Sequence, residues 1–527
     1  MSPYALAGIG FTILSLVIGL LASRLVKGKV AGYYVAGRQA GGWLIWSTYL
    51  GTWISVGTFL GVAALVWQLG PVRGMWNYGS LWGIGVFAFF IAIALRRARL
   101  LTVPDIFWEM YRSKAIHLLA VIILVVMMWV YTIGQILAMG KIYNWIFNID
   151  FVTGTVLFTI VVGVYVVVGG MWADVTTDLV QTVTFVVAAL VAAPLAIAAV
   201  GGWQALTHQL VQMKPGVWNF TTPANYPPGF LIGLFFSWLA FTAATPHLIT
   251  RAYAAKSEIG LVKGLIGSQL VAMVFLWFFF ASVAGVYLLQ QRFDDPDFAG
   301  VHYLTNMLPV PVGMLMVGAM MAAALSTVDS LALMIGQGVA RDLYQRYINP
   351  HVQERNLLLI SRIAVGASVV LAMFAALTRP ALVIWVLQFA AAIFLATYFP
   401  AIILGLYWKR VTRVGVLVGM VVGLIVYPVL QIIEAQMGAV QFANTYIVSA
   451  ILGGFLAGLI TMVVVSLLTK ASPEEAAAVE SFRRRCFPEG KVLALHDRVK
   501  PGDWTFLWGV VAVNIVFLLV YFYLLTI

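Results

Sequence analysis

Residues 322–344 read AAALSTVDSLALMIGQGVARDLY, an apolar helix with a polar seam. Ala323, Ser326, Thr327 and Ser330 fall at offsets 0, 3, 4 and 7 and share one face. Asp329 lies at the edge of that face, about 60° round from Ser326 at 3.6 residues per turn. In water such a seam is ordinary. In a bilayer, adjacent hydroxyls beside a carboxylate are costly and mark a pathway or an ion site. The rest of the chain decides which environment applies.

Composition decides it. The 527 residues are 62% hydrophobic and 9% charged, against roughly 25% charged in soluble domains. Apolar runs near or above the roughly 18-residue spanning length recur along the chain. They predict about fourteen transmembrane helices near 4–24, 41–67, 72–97, 116–141, 149–171, 175–201, 228–249, 261–290, 310–339, 357–378, 381–407, 412–434, 444–469 and 504–526, in an all-α integral membrane protein. The first run continues into Arg24, Lys27 and Lys29 without a small-residue cleavage site, which predicts an uncleaved helix. The single cysteine, Cys486, excludes intrachain disulfides and cysteine-based metal centres.

The net charge of +12 is an orientation signal. Alternate loops, including 24–40, 96–115, 250–263, 340–362, 408–413 and 470–503, hold 26 of the 31 Lys and Arg residues. The opposite set holds Arg73, Lys141, Lys214, Arg292 and Arg379. The positive-inside rule makes the first set cytoplasmic and places both termini outside a plasma (inner) membrane. Nucleic acid is not an expected partner; the bilayer is. Segment 203–227 reads as an outer loop with an interfacial helix. Segment 291–309, with Asp294, Asp295 and Asp297, reads as a solvated loop in preference to a divalent-metal site. Segment 470–503 reads as a cytoplasmic amphipathic helix and linker.

Two segments carry helix-breaking chemistry in corresponding places. YLGTWISVGTFLG (49–61) has Gly51, Gly57 and Gly61 among Thr52, Ser55 and Thr58. WLAFTAATPHLITR (238–251) has Thr242, Thr245, Pro246 and His247. Each opens a five-helix set, and five is odd, so the sets run in opposite senses. Broken helices at matching points of two inverted halves mark transporter binding sites. Carbonyls freed near Gly51–Ile54 and the hydroxyls of Ser326 and Thr327 suit a weakly held monovalent cation better than calcium, which recruits several carboxylates.

YYVAGRQAGGW (33–43), GGMWADVTTDLVQ (169–181), PHLITRAYAAKS (246–257), ALSTVDSLAL through GVARDLYQRYINP (324–350) and PAIILGLYWKR (400–410), in this order, resemble the sodium/solute symporter family over nearly the whole chain. The resemblance implies a leucine-transporter-like five-plus-five inverted repeat. Its parts would be an N-terminal helix and loop (1–40), a first repeat (41–202), an outer loop (203–227), a second repeat (228–408) and three C-terminal helices (409–527). It implies sodium held by Gly51, Ile54, Ala323, Ser326 and Thr327. It implies a possible second sodium or proton site at Asp178, Ser326, Asp329 and Ser330; some members have Ser where this chain has Asp329. It implies substrate contacts at Thr58, Trp76, Asn77, Tyr131, Gln135, Trp238 and Gln388, a sparse set suited to a small solute with few hydroxyls. The expected function is sodium-coupled import of an amino acid such as proline or a short carboxylate, by a chain functional as a monomer. The alternatives are a sugar or vitamin symporter and a transporter-like sensor. No enzyme is expected, because no paired acidic or His–Asp motif is evident at one membrane face.

Overall fold

The chain folds as helix after helix because its apolar runs must satisfy every backbone polar group internally inside a bilayer. The structure, a computed structural model, describes residues 1–69, 78–213, 228–288, 292–446, 448–488 and 501–526. Among the described residues, ten helices are long and apolar enough to cross a bilayer unbroken, and a bent pair makes eleven. Helices Glu258–Leu288 and Pro501–Thr526 lie where two further spans were expected.

Both expected breaks are present as backbone features. Helix Gly42–Trp53 ends where Ile54 turns extended (φ −77°, ψ 99°), and the chain resumes as Thr58–Gln68 at an angle of 52°. Helix Pro228–Ala244 ends at extended Thr245, and Pro246 starts the next helix, Pro246–Ala254. Proline suits that first turn because the missing N–H would have no partner there anyway. The expected spans 149–171 and 175–201 form one helical run, Phe151–Ala199, turned at Gly170, whose φ of 61° and ψ of −172° lie outside helical values. Only glycine adopts that backbone readily, and a Cβ there would meet the Tyr33 ring at 2.4 Å.

The two broken helices are tied together directly. Ala40 N–H donates to Ala254 O (3.0 Å) and Lys256 N–H to Ala40 O (2.8 Å). Deeper in, the Tyr49 hydroxyl donates to Thr242 O at 2.7 Å. Helix Val310–Gln337 packs against Phe151–Ala199, the N-terminal helix and Lys114–Phe147. It is buried almost throughout, which explains an apolar helix whose hydroxyls never face lipid.

Segment 291–309 differs from its expected solvated form. Phe298–His302 and Tyr303–Met307 are helical and fold inward. Gly300 sits so close to the broken helix that a Cβ would lie 1.9 Å from Phe59 O. Asp297 is fully buried. The Lys141 ammonium lies 2.6 Å from both Asp295 and Asp297. The carboxylates gather because a buried ammonium needs counter-charge, which composition alone does not reveal.

At the opposite end, helix Pro473–Cys486 realises the expected amphipathic helix, capped by Ser472. Its Arg483 donates to Gly405 O (2.8 Å) and Trp408 O (2.6 Å), strapping the helix across the spans above it. Helix Trp203–Met213 occupies the start of the expected loop 203–227, and 214–227 lie outside the described residues.

Candidate cation and substrate site

The Gly51–Ile54 break and the hydroxyl seam face one another. Ser326 Oγ donates to Gly51 O at 2.9 Å, and Thr327 Oγ1 donates to Ala323 O at 2.9 Å. Ser326, Thr327, Ala323 and Ile54 are all fully buried. The cap bond of the first half-helix runs from Ile54 N–H to Leu50 O (2.9 Å). Beyond it the extended backbone frees carbonyls from helical pairing. Neutral carbonyl and hydroxyl oxygens with a carboxylate nearby make a donor set for a hard monovalent cation.

The nearby carboxylate is Asp178. Its carboxyl packs against Gly51, where a Cβ would meet Asp178 Cγ at 3.3 Å and Thr182 Oγ1 at 2.8 Å. Asp178 Oδ2 accepts from Thr48 Oγ1 (2.6 Å) and Thr52 Oγ1 (3.5 Å). Of the expected second-ion residues, Ser326 lies on this side. Ser330 Oγ meets Thr52 Oγ1 at 3.4 Å, the hydroxyl that also reaches Asp178, and is bonded in addition to Asp174 (3.0 and 3.1 Å) and Arg251 (2.7 Å). Asp329 faces a separate small cavity lined by Val166, Gly169, Gly170, Ala173 and Leu333.

Arg251 and Asp174 are the functional candidates that sequence reasoning missed. By sequence Arg251 belongs with the loop charges of 250–263, yet it is 0% exposed. The short helix Pro246–Ala254 carries it inward, to Asp174 (2.8 Å), Thr52 Oγ1 (2.5 Å) and the carbonyl of His247 (2.7 Å). One sequence signal pointed there: Asp174 and Asp178 are four residues apart in one apolar run, hence on one helix face.

A small cavity opens beside the same broken helix. It is lined by Trp53, Ser55, Gly57, Thr58, Val62, Tyr131, Trp238, Ile384 and Leu387. Of the expected substrate residues, Thr58, Tyr131 and Trp238 line it. Tyr131 stacks on Phe241 (5.5 Å between centroids, 16° between planes) and lies 5.9 Å from the His247 ring. Gln135, one turn along from Tyr131, is fully buried, and neither amide atom has a hydrogen-bond partner among the described residues. Gln388 is buried and donates its amide to Ser237 Oγ. Trp76 and Asn77 lie outside the described residues.

A third cluster sits where helices Asp105–Tyr111, Lys114–Phe147 and Gly338–Ile348 meet. Asp105, His117 and Asp342 bring ligand-type atoms within 4.8 Å of one another. Arg346 donates to Asp105 (2.7 Å) and contacts His117 Nε2 (2.9 Å), while Thr102 Oγ1 donates to Asp342 (2.8 Å). Burial works against the Asp105 charge, but Arg341 and Arg346 outweigh it and hold the carboxyl below the usual aspartate range. Two guanidiniums already neutralise this cluster, so it reads as an ion-pair network binding the start of one span to the end of another.

Comparisons with known proteins give the family and the fold. The model of the "Sodium:solute symporter family" matches residues 33–423. The chain is 26% identical over 440 residues to the sodium/pantothenate symporter of Haemophilus influenzae, covering 81% of this chain and 89% of that one. It is 25% identical over 491 residues to a sodium/proline symporter of Staphylococcus aureus, covering 89% and 93%. Among solved structures, a Na+-coupled sialic acid symporter in a substrate-bound outward-open state superposes with a TM-score of 0.73 at 17% identity, covering 89% of this chain and 99% of that one; at that identity the likeness speaks for the fold. With the family model matching most of the chain, this multi-pass membrane protein is a transporter, not an enzyme, and belongs to the sodium:solute symporter family.

Proposed function

We propose that the chain imports a small carboxylate-bearing solute with few hydroxyls, driven by sodium. The observation that carries this is the Ser326–Gly51 contact across the break, with a small aromatic-lined cavity on the same broken helix. In this reading Gly51, Ile54, Ala323, Ser326 and Thr327 hold sodium, and Thr58, Tyr131, Gln135 and Trp238 face the solute. Both ligands use one broken helix, so each favours the same conformation and raises the other's affinity. The membrane potential adds about 2.3 kcal/mol per charge per 100 mV.

The relatives support the solute class. Proline and pantothenate both carry a carboxylate, and the names of the relatives give them as transported with sodium. The aromatic, sparsely polar lining suits such a solute better than a sugar, whose hydroxyls each need a partner. The charge distribution supports insertion with the 470–503 face inside and the Lys141 face outside. The five-helix sets 41–202 and 228–408 would be the moving inverted halves. In this reading the chain works as a monomer.

The test is uptake into proteoliposomes of a panel of amino acids, monocarboxylates, vitamins and sugars, with and without an inward sodium gradient. Sodium-stimulated uptake of a carboxylate is expected. Uptake indifferent to sodium, or confined to sugars, overturns the reading.

A further inference from the structure

The buried charges around Thr52 are more than a sodium site requires. Three formal charges meet there in a region closed to solvent: Asp174, Asp178 and Arg251 are each at most 1% exposed. Arginine stays protonated in proteins, so its charge must be countered where it lies. Two carboxylates compete for it. The structure divides them unequally. Arg251 lies 2.8 Å from Asp174 and 3.7 Å from Asp178. Ser330 reinforces the first pairing: its hydroxyl lies 3.0 and 3.1 Å from the two Asp174 oxygens, to which its single proton can be donated, while it accepts from Arg251 (2.7 Å). The His247 carbonyl anchors the other guanidinium nitrogen at 2.7 Å.

Asp178 is left less committed. One oxygen accepts from Thr48 and Thr52; the other, Oδ1, is buried without a hydrogen-bond partner among the described residues. The same carboxyl packs on Gly51, whose carbonyl is already bridged to Ser326. Two carboxylates and one guanidinium leave a net charge of minus one, which a single monovalent cation cancels.

We propose that Asp174 is a positioning residue: by holding Arg251 it keeps Asp178 open to a transported cation. Without the Asp174 charge, the guanidinium closes the short distance to Asp178 and pairs with it directly. An internal cation then occupies the carboxylate, and a mobile one binds it poorly. Asp174 touches no solute in this scheme; it acts through Arg251.

The inference rests on the sodium-coupled reading above, and one experiment separates the two. The purified full-length protein is titrated with sodium chloride against choline chloride at equal ionic strength, and the sodium-dependent rise in unfolding temperature gives the half-saturating sodium concentration. Asp174→Asn should raise that concentration at least tenfold. Asp174→Glu, which keeps the charge, should stay within threefold of the unaltered protein. The pair Asp174→Asn/Arg251→Gln removes the trapped cation with its holder and should return to within threefold as well. A merely structural role would lower the sodium-free unfolding temperature and leave the half-saturating concentration alone. Unchanged sodium dependence in Asp174→Asn, or a double variant as weak as the single, overturns the proposal. If the single variant does not fold, the double variant decides: near-native sodium affinity upholds the proposal, and lost affinity overturns it. No sodium response in the unaltered protein, together with sodium-independent uptake, would instead overturn the coupling itself.

Discussion

Ser326 Oγ donates to the Gly51 carbonyl at 2.9 Å, joining residues 275 positions apart beside the break that ends helix Gly42–Trp53. That contact brings the two halves of the proposed cation site within hydrogen-bonding distance of each other. Ser326→Ala and Thr327→Ala each remove one oxygen. The half-saturating sodium concentration for uptake should rise at least tenfold in each, with maximal uptake at saturating sodium falling less. Sodium-activation curves in proteoliposomes provide the check, and an unchanged curve removes that hydroxyl from the site.

The inward fold of 298–307 makes Gly300 a sensitive position. A Cβ there would sit 1.9 Å from the Phe59 carbonyl and 2.9 Å from the Ala63 side chain. A backbone oxygen cannot swing aside, so Gly300→Ala must lift the segment off the broken helix. Uptake should fall at least tenfold while sodium still raises the unfolding temperature. Uptake equal to that of the unaltered protein would mean that the segment need not seat.

Lys141 and Asp297 form a buried pair at 2.6 Å, and Asp297 also accepts from Val383 N–H at 3.2 Å. It thereby ties helix Lys114–Phe147 to the start of Val383–Ala396. Removing one partner strands a charge. Lys141→Met should cost about 3–5 kcal/mol, the range for breaking a buried pair. Lys141→Met/Asp297→Asn should recover much of that loss. Thermal unfolding of the three proteins in one detergent tests the cycle; equal losses in the single and double variants would show that the ion pair is not the source.

Cys486 is the last residue of helix Pro473–Cys486 and is fully buried, and burial pushes its thiol up to about 12 despite Arg485 and Arg97 nearby. The thiolate is the reactive form, so maleimide labelling at neutral pH should run on the order of a thousandfold slower than for a free thiol. Labelling should rise sharply when the strap detaches or the protein unfolds. Mass spectrometry of intact protein after timed labelling reports it, and fast labelling of the folded protein would place the helix off the body.

Much of this molecule is legible in its sequence. The spanning helices follow from apolar run length, because the bilayer leaves the backbone no alternative. The breaks at Ile54 and Thr245 follow from Gly, Thr and Pro chemistry that acts within a few residues. The seam of Ser326, Thr327 and Ser330 follows from helical periodicity alone. Burial and partnership did not follow. Arg251 reads as a loop charge by its place after an apolar run, and Asp297 as a solvated acid by its neighbours in sequence. Both are fully buried, because helices distant in the chain deliver counter-charges to them: Asp174 from 77 residues away and Lys141 from 156. A helix's own sequence dictates which side chains share a face. Which charge waits on the opposite face is decided by packing between helices, and only the tertiary structure shows that Asp174, and not Asp178, holds the guanidinium at 2.8 Å.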